Sequence, residues 1–332
     1  MKYIVRNYHS LLNLKETEIA IKLVKDTFER KLAYNLDLLR VSAPLFVDPN
    51  TGLNDNLSGK EKAVSFKVMD NMELEIVQSL AKWKRYALKK YNFDVHKGLY
   101  TDMNAIRPNE DLDNMHSCYV DQWDWEKVIT KEDRTIDYLK KTVRLIYKAL
   151  KETIEVVKKE YPILNTELPD DIYFITAEEL LALYPDKDSK EREHLICKEH
   201  KAVFLIGIGD KLKNNESHDT RAADYDDWKL NGDLLLYYDM LDIAFELSSM
   251  GIRVNKESLM YQLKAKNEEF KLPLMYHQAI LNDELPLTIG GGIGQSRICM
   301  FILKKVHIGE VQSSYWNHDY LKELEKDNIH LL

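Results

Sequence analysis

A chain of 332 residues, 45% hydrophobic and 31% charged, has ample material for a folded core and lacks the composition of a disordered segment. Its net charge of −8 excludes a global basic field able to hold a nucleic acid backbone. Cys118, Cys197 and Cys299 are widely spaced with no CxxC pair, which argues against a thiolate metal site and fits a reduced, cytoplasmic protein without disulfides. Residues 1–6 lack the apolar run of a signal peptide, and no apolar run elsewhere reaches membrane length.

In chain order, Ile19, Leu23, Val24, Phe28 and Leu32 recur at helical spacing and predict an amphipathic helix over residues 15–36. Residues 38–46 predict a short strand closed by Pro44, and 51–59 a loop. Val64, Phe66 and Val68, then Leu74 and Ile76, alternate as two strands joined by a turn at Asp70-Asn71. A helix starts near Gln78 with Ser79 as its cap. Residues 99–106 predict a strand, followed by a loop beginning at Arg107-Pro108. Residues 117–126 then alternate, with Cys118, Val120, Gln122, Asp124 and Glu126 on one face and Tyr119, Asp121, Trp123 and Trp125 on the other. Such a strand has one side for a core; its polar side meets either a ligand or solvent.

Ile136, Leu139, Val143, Ile146, Leu150, Ile154 and Val157 mark a long helix that stops at Tyr161-Pro162. Thr176-Ala177-Glu178-Glu179 is a capping box opening a short helix, and residues 189–201 predict another. Residues 202–209 read as an apolar strand and 210–229 as a polar loop. Asn231-Gly232-Asp233 reads as a turn into a strand at 234–238. A further strand at 244–254 carries Glu246 among apolar neighbours. Helices at 257–266 and 274–282 lead to Leu285, Leu287 and Ile289, then Gly290-Gly291-Gly292, then an apolar run at 298–303. That order predicts strand, tight glycine turn and buried helix. Arg297, in the first turn of the helix, is badly placed for the helix dipole but well placed to bond a phosphate or stack on a purine. The plain alternative is a glycine-rich turn with a surface arginine. Hairpins and helical excursions, rather than a regular βαβ alternation, give an α+β fold: a mainly antiparallel sheet flanked by helices, in one domain over residues 1–332.

No GxxxxGK[ST] loop, no GxGxxG opening a βαβ unit, no HExxH and no GxSxG elbow occur. What remains is a set of charges that would be costly to bury unpaired: Lys84, Arg107, Arg253 and Arg297 with Asp55, Asp124, Asp226, Asp233 and Glu246. Arginines with interspersed carboxylates suit Mg-ATP and a zwitterionic substrate. Solvated surface ion pairs, about 0–1 kcal/mol each, are the alternative.

Six segments, DNLSGKEKAV (55–64), SLAKWKR (79–85), GLYTDMNAIRPNEDLDNMHSCYVDQWDWE (98–126), YDDW, FELSSMGIRV and TIGGGIGQSR, resemble the ammonia-dependent asparagine synthetases (aspartate–ammonia ligases). More distantly they resemble the catalytic domain of class II aspartyl- and asparaginyl-tRNA synthetases. The resemblance spans essentially the whole chain. It implies an ATP- and Mg²⁺-using ligase that converts L-aspartate and ammonia to L-asparagine through β-aspartyl-AMP, releasing AMP and pyrophosphate. Residues 38–45, with Pro44, resemble the class II motif that builds a homodimer interface. By the same resemblance Arg107 holds the α-phosphate, Arg297 packs on adenine and reaches the γ-phosphate, and Asp226, Gly292 and Gly294 complete the ATP site. Asp233 and Glu246 would ligate magnesium. Lys84, counted with Arg107 and Arg297 as catalytic, joins Arg253, Ser249, Asp55, Gln122 and Asp124 around the aspartate. Leu80-Ala81 replaces the proline and glutamine usual in the tRNA synthetases, and the first helix starts near residue 15 with no anticodon-binding barrel before it. Both departures argue against tRNA charging, so neither nucleic acid nor membrane is an expected partner. Lys2 stands where glutamine-dependent asparagine synthetases need cysteine.

Overall fold

The structure is a computed structural model that describes residues 5, 7–55, 57 and 61–332. Readings made on residues 1–4 and 6, and on positions 56 and 58–60, lie outside them. Helix α1 (Leu14–Leu36) opens with a capping box, Asn13 accepting from the Glu16 amide while Glu16 accepts from the Asn13 amide. Its apolar stripe buries Val24, Phe28 and Leu32. The strand expected over residues 38–46 divides into β1 (Leu38–Arg40) and β2 (Phe46–Val47), which belong to different sheets. Pro44, between them, has no N–H to continue a ladder. β2 pairs with β4 (Glu73–Ile76), which pairs with β3 (Ser65–Lys67), and Asp70 and Asn71 supply the left-handed turn that joins them. Helix α2 (Ala81–Lys90) starts where Ser79 Oγ accepts from the Ala81 amide at 3.1 Å.

The hairpin β5 (Gly98–Ile106) and β6 (Tyr119–Val128) precedes α3 (Ile136–Glu160), β7 (Tyr173–Thr176), α4 (Ala177–Leu183), α5 (Ser189–His200) and β8 (Ala202–Ile206). Then come β9 (Asp226–Tyr238), β10 (Ile243–Arg253), α6 (Lys256–Lys266), α7 (Met275–Leu281), β11 (Thr288–Gly294), α8 (Gln295–Ile302) and α9 (His318–Lys326). Among the described residues these strands form an eight-stranded sheet in the order β1-β5-β6-β11-β10-β9-β8-β7. Only the two outer pairs, β1 with β5 and β7 with β8, run parallel. The mainly antiparallel α+β fold expected from the sequence is the one observed; β7 and α9 had no counterpart in that reading.

Alternation along the strands sorts residues by face. Trp123 and Trp125 of β6, Leu234 and Leu236 of β9, and Ile289 and Ile293 of β11 join α1, α3 and α8 in the main core. At one end of the other face, α4 and α5 pack on Val203, Leu205 and Leu235. At its other end α2 lies against β5, β6 and β11. Between these helices the centre of the sheet stays open.

Two glycine readings need correction. Asn231-Gly232-Asp233 is no turn but the middle of β9; a Cβ on Gly232 would lie 2.2 Å from the Leu205 carbonyl, so glycine serves close strand approach there. Gly290, Gly291 and Gly292 likewise stay extended inside β11, and the helix starts only at Gln295. On the open face, a Cβ on Gly290 would meet Glu126 Oε2 at 1.8 Å, and one on Gly292 would meet Gln122 Oε1 at 2.3 Å. Side chains of β6 therefore lie across a bare strand. Gly290→Ala is expected to destabilise the protein by about 1–3 kcal/mol, the usual cost of overpacking. Urea unfolding checks this, and an unchanged midpoint contradicts it.

Candidate active site

The open centre of the sheet is a cleft of about 410 Å³. Its deep end is a buried charge cluster. Arg253, at the end of β10, donates from Nε and Nη2 to Glu126 at 2.8–3.1 Å and from Nη1 to Asp226. Lys84, on the inward face of α2, is wholly buried; it donates to Asp124 and, at 3.0 Å, to the Gly291 carbonyl. Burial pulls the Lys84 ammonium below its ordinary pKa, while Asp124 and Glu126 work to keep it charged. Two cations thus sit among three carboxylates at the floor of the cleft, a charge density that suits a zwitterion.

Beside them, the loop after β2 brings in Asp55, whose backbone carbonyl accepts from Gln78 Nε2 at 2.9 Å. Burial raises the Asp55 carboxyl above the usual range against the pull of Lys82. Lys82 itself donates to Asp224 at 3.1 Å, and His277 Nε2 lies 3.0 Å from the same oxygen. Burial would raise Asp224, but Lys82, His277 and Lys271 hold it well below the carboxylate range. This cluster ties α2, α7 and the loop before β9 together behind Asp55.

The outer end of the cleft carries separate arginines. Arg107, just past β5, donates to the Gln78 carbonyl at 3.3 Å, and its Nε has no hydrogen-bond partner among the described residues. Arg297, in the first turn of α8, donates to the Glu246 carbonyl at 2.7 Å, and its guanidinium lies 6.0 Å above the Phe245 ring. Glu246 Oε2 is 3.7 Å from Arg297 Nη1. A register shift in β10 between Glu246 and Ser248 turns Glu246 and Ser249 to the same face although they are an odd number of residues apart. Asp233 lies directly opposite Ser249 on β9. Burial, together with the charge of Glu246, lifts the Asp233 carboxyl to about 6 against the pull of Arg221.

Asp55, Lys84, Arg107, Gln122, Asp124, Asp226, Glu246, Ser249, Arg253, Gly292, Gly294 and Arg297, scattered in sequence, all line this cleft. The polar face of β6 meets the cleft, not open solvent. Two residues sit otherwise than their expected roles suggest. Asp226, expected beside ATP, has its carboxylate on Arg253 at the deep end. Asp233 lies behind Arg221, which bonds it at 2.6 Å. Sequence reasoning missed Arg221, Lys82 and Asp224. The signal for Arg221 and Asp224 was their place just before the YDDW segment, in what read as an ordinary polar loop.

This topology, with its cleft over the central strands, is the class II aminoacyl-tRNA synthetase-like fold. Asparaginyl-tRNA synthetase from Pyrococcus horikoshii, complexed with asparaginyl-adenylate, superposes with a TM-score of 0.67 at 15% identity, covering 91% of this chain and 70% of that one. Aspartyl-tRNA synthetase from Entamoeba histolytica gives 0.58 at 17% identity, over 89% of this chain and 58% of that one. Sequence relatives are nearer. The chain is 59% identical over 332 residues to the aspartate–ammonia ligase of Clostridium perfringens, with 99% of both chains covered. It is 57% identical over 325 residues to that of Bacillus cereus, covering 98% of this chain and 99% of the other. The aspartate–ammonia ligase family model matches residues 15–328. The chain belongs to the aspartate–ammonia ligase family.

Proposed function

We propose that this chain is an ATP-dependent carbon–nitrogen ligase converting L-aspartate and ammonia to L-asparagine through β-aspartyl-AMP. The observation that carries this reading is the two-ended cleft: paired cations and carboxylates at its floor, separate arginines at its mouth. Lys84 and Arg253 grip the α-carboxylate of aspartate, while Asp55, Gln122 and Asp124 fix its ammonium. The β-carboxylate is then the end left facing the nucleotide. One of its oxygens attacks the α-phosphorus, pyrophosphate leaves, and Arg107 meets the growing negative charge. Arg297 holds the adenine and the γ-phosphate. Ammonia attacks the acyl carbon, the bond from that carbon to the AMP oxygen breaks, and the nitrogen loses a proton. No protein nucleophile is required.

Glu246 and Asp233 offer hard oxygen donors that fit magnesium. Glu246 shares a face with Ser249, and Asp233 lies directly opposite Ser249, so a dication held there would offset the like charges of two neighbouring carboxylates. Among the described residues no group of three or more His, Cys, Asp or Glu side chains is arranged to hold a metal, so phosphate oxygens and water would complete the shell. When bound, the ion would neutralise phosphate charge.

The same reading makes the protein a homodimer. β1 is a sheet edge, and its Leu39 is 61% exposed, the sort of apolar edge that pairs with a second copy. Light scattering at micromolar concentration should give twice the 39.0 kDa chain mass, and a monomer contradicts the assembly. No helix among the described residues is long and apolar enough to cross a membrane. The cytoplasm, where free thiols persist, is the compartment this reading assigns, and cell fractionation placing the protein in a membrane or secreted pool contradicts it.

The reaction is tested by following aspartate-dependent AMP release. Ammonium should support turnover and glutamine should not, with AMP and asparagine formed in equal amounts. Arg297→Ala should lower kcat/KM by about 10²–10³ while leaving the unfolding transition in place. Turnover without aspartate, or full activity in a folded Arg297→Ala enzyme, overturns the proposal.

A further inference from the structure

Arg221 lies in the loop between β8 and β9, and the reaction above makes no use of it. Its guanidinium lines the cleft yet is almost buried. It donates from Nη2 to Asp233 Oδ1 at 2.6 Å and from Nη1 to Ser249 Oγ at 2.6 Å. Its Nε is buried and has no hydrogen-bond partner among the described residues. One side chain therefore spans a group assigned to aspartate and a carboxylate assigned to magnesium.

The loop that carries it is pinned on both sides. Before it, Lys190 Nζ lies 3.2 Å from Asp219, and His218 Nε2 lies 2.9 Å from Glu193, both partners belonging to α5. After it, the carbonyls of Ala222 and Ala223 accept from Trp228 Nε1 at 3.1 Å and Gln262 Nε2 at 3.0 Å. The backbone is held, so exchange of partners falls to the long side chain alone.

A carboxylate already neutralised by a bonded guanidinium is a poor ligand for a dication, which must either displace that guanidinium or sit beside a like charge. A displaced, nearly buried guanidinium in turn needs a new anion. The polyphosphate of ATP is the anion that enters this cleft, and a planar guanidinium bonds phosphate oxygens in pairs.

We propose that Arg221 is an exchangeable counter-ion. It holds Asp233 while the nucleotide site is empty and moves to the polyphosphate when ATP enters, releasing Asp233 to the divalent cation. Metal then binds this enzyme tightly only together with nucleotide. The inference rests on the magnesium reading of Asp233 and Glu246 given above.

Manganese ion, counted by the loss of its free paramagnetic signal, is the probe, added to the full chain with and without α,β-methylene-ATP. Wild type should bind Mn²⁺ weakly alone and strongly with the analogue. Arg221→Gln should bind Mn²⁺ alone more tightly than wild type by about 5–150-fold, the usual range of coupling between two ligands. Adding Asp233→Asn to that variant should abolish the gain, whereas Arg221→Lys, which keeps the cation, should behave as wild type. Equal Mn²⁺ affinity of wild type and Arg221→Gln without nucleotide overturns the exchange but leaves the metal reading standing. Absence of Mn²⁺ binding to wild type even with the analogue removes the metal reading and this inference together. Should Arg221→Gln fail to fold, wild type alone decides, since Mn²⁺ bound equally well with and without the analogue overturns the exchange.

Discussion

The site depends on one close approach: the Glu126 carboxylate lies across the bare backbone of Gly290 to meet Arg253. Any side chain at Gly290 would occupy that space. Through this contact three adjacent strands, β6, β11 and β10, present one arrangement of charges to the cleft. A buried ion pair of this kind adds little net stability, because desolvation offsets most of its attraction. Its effect is positional. Glu126 and Asp226 hold the guanidinium of Arg253 in place, and Asp124 does the same for Lys84 two residues from Glu126 along β6.

The rest of the fold keeps that cluster buried at the floor of the cleft. The tryptophans that alternate with Gln122, Asp124 and Glu126 bury themselves in the main core, Trp123 against Phe28 of α1, so β6 cannot slip by one residue without exposing them. The irregularity in β10 lets Glu246, Ser249 and Arg253 share a face, linking the outer and deep ends of the cleft along a single strand. Helix α8 begins directly at the end of β11, which puts Arg297 over the mouth, braced by the Glu246 carbonyl. The buried charge cluster and the arginines of the mouth thus fall on opposite ends of the same strands.

Much of this was legible in sequence where local pattern and tertiary need agree. The alternation of β6, the capping box at Thr176, and the helices from residue 15 and residue 136 are set by neighbours a few residues apart. Asn231-Gly232 and Gly290–Gly292 were misread as turns because local rules treat glycine as a turn former. In this fold the glycines answer to Leu205 and Glu126, residues far away in the chain. The β10 irregularity leaves no mark in sequence, so Glu246 and Ser249 could be named but their shared face could not be inferred. Arg221 and Asp224 were hidden for a related reason: a polar loop looks solvated until the elements that bury it are in place. The family resemblance supplied roles for site residues, and the structure supplied the partners that hold each one.

In the proposed reaction the floor of the cleft grips the α-carboxylate and leaves the β-carboxylate to react. Aspartate labelled with ¹⁸O in the β-carboxylate tests it most directly, in a turnover with ATP and ammonium followed by mass analysis of the nucleotide product. Labelled oxygen should appear in AMP alongside newly formed asparagine. Unlabelled AMP, or ADP and phosphate in place of AMP and pyrophosphate, would contradict it.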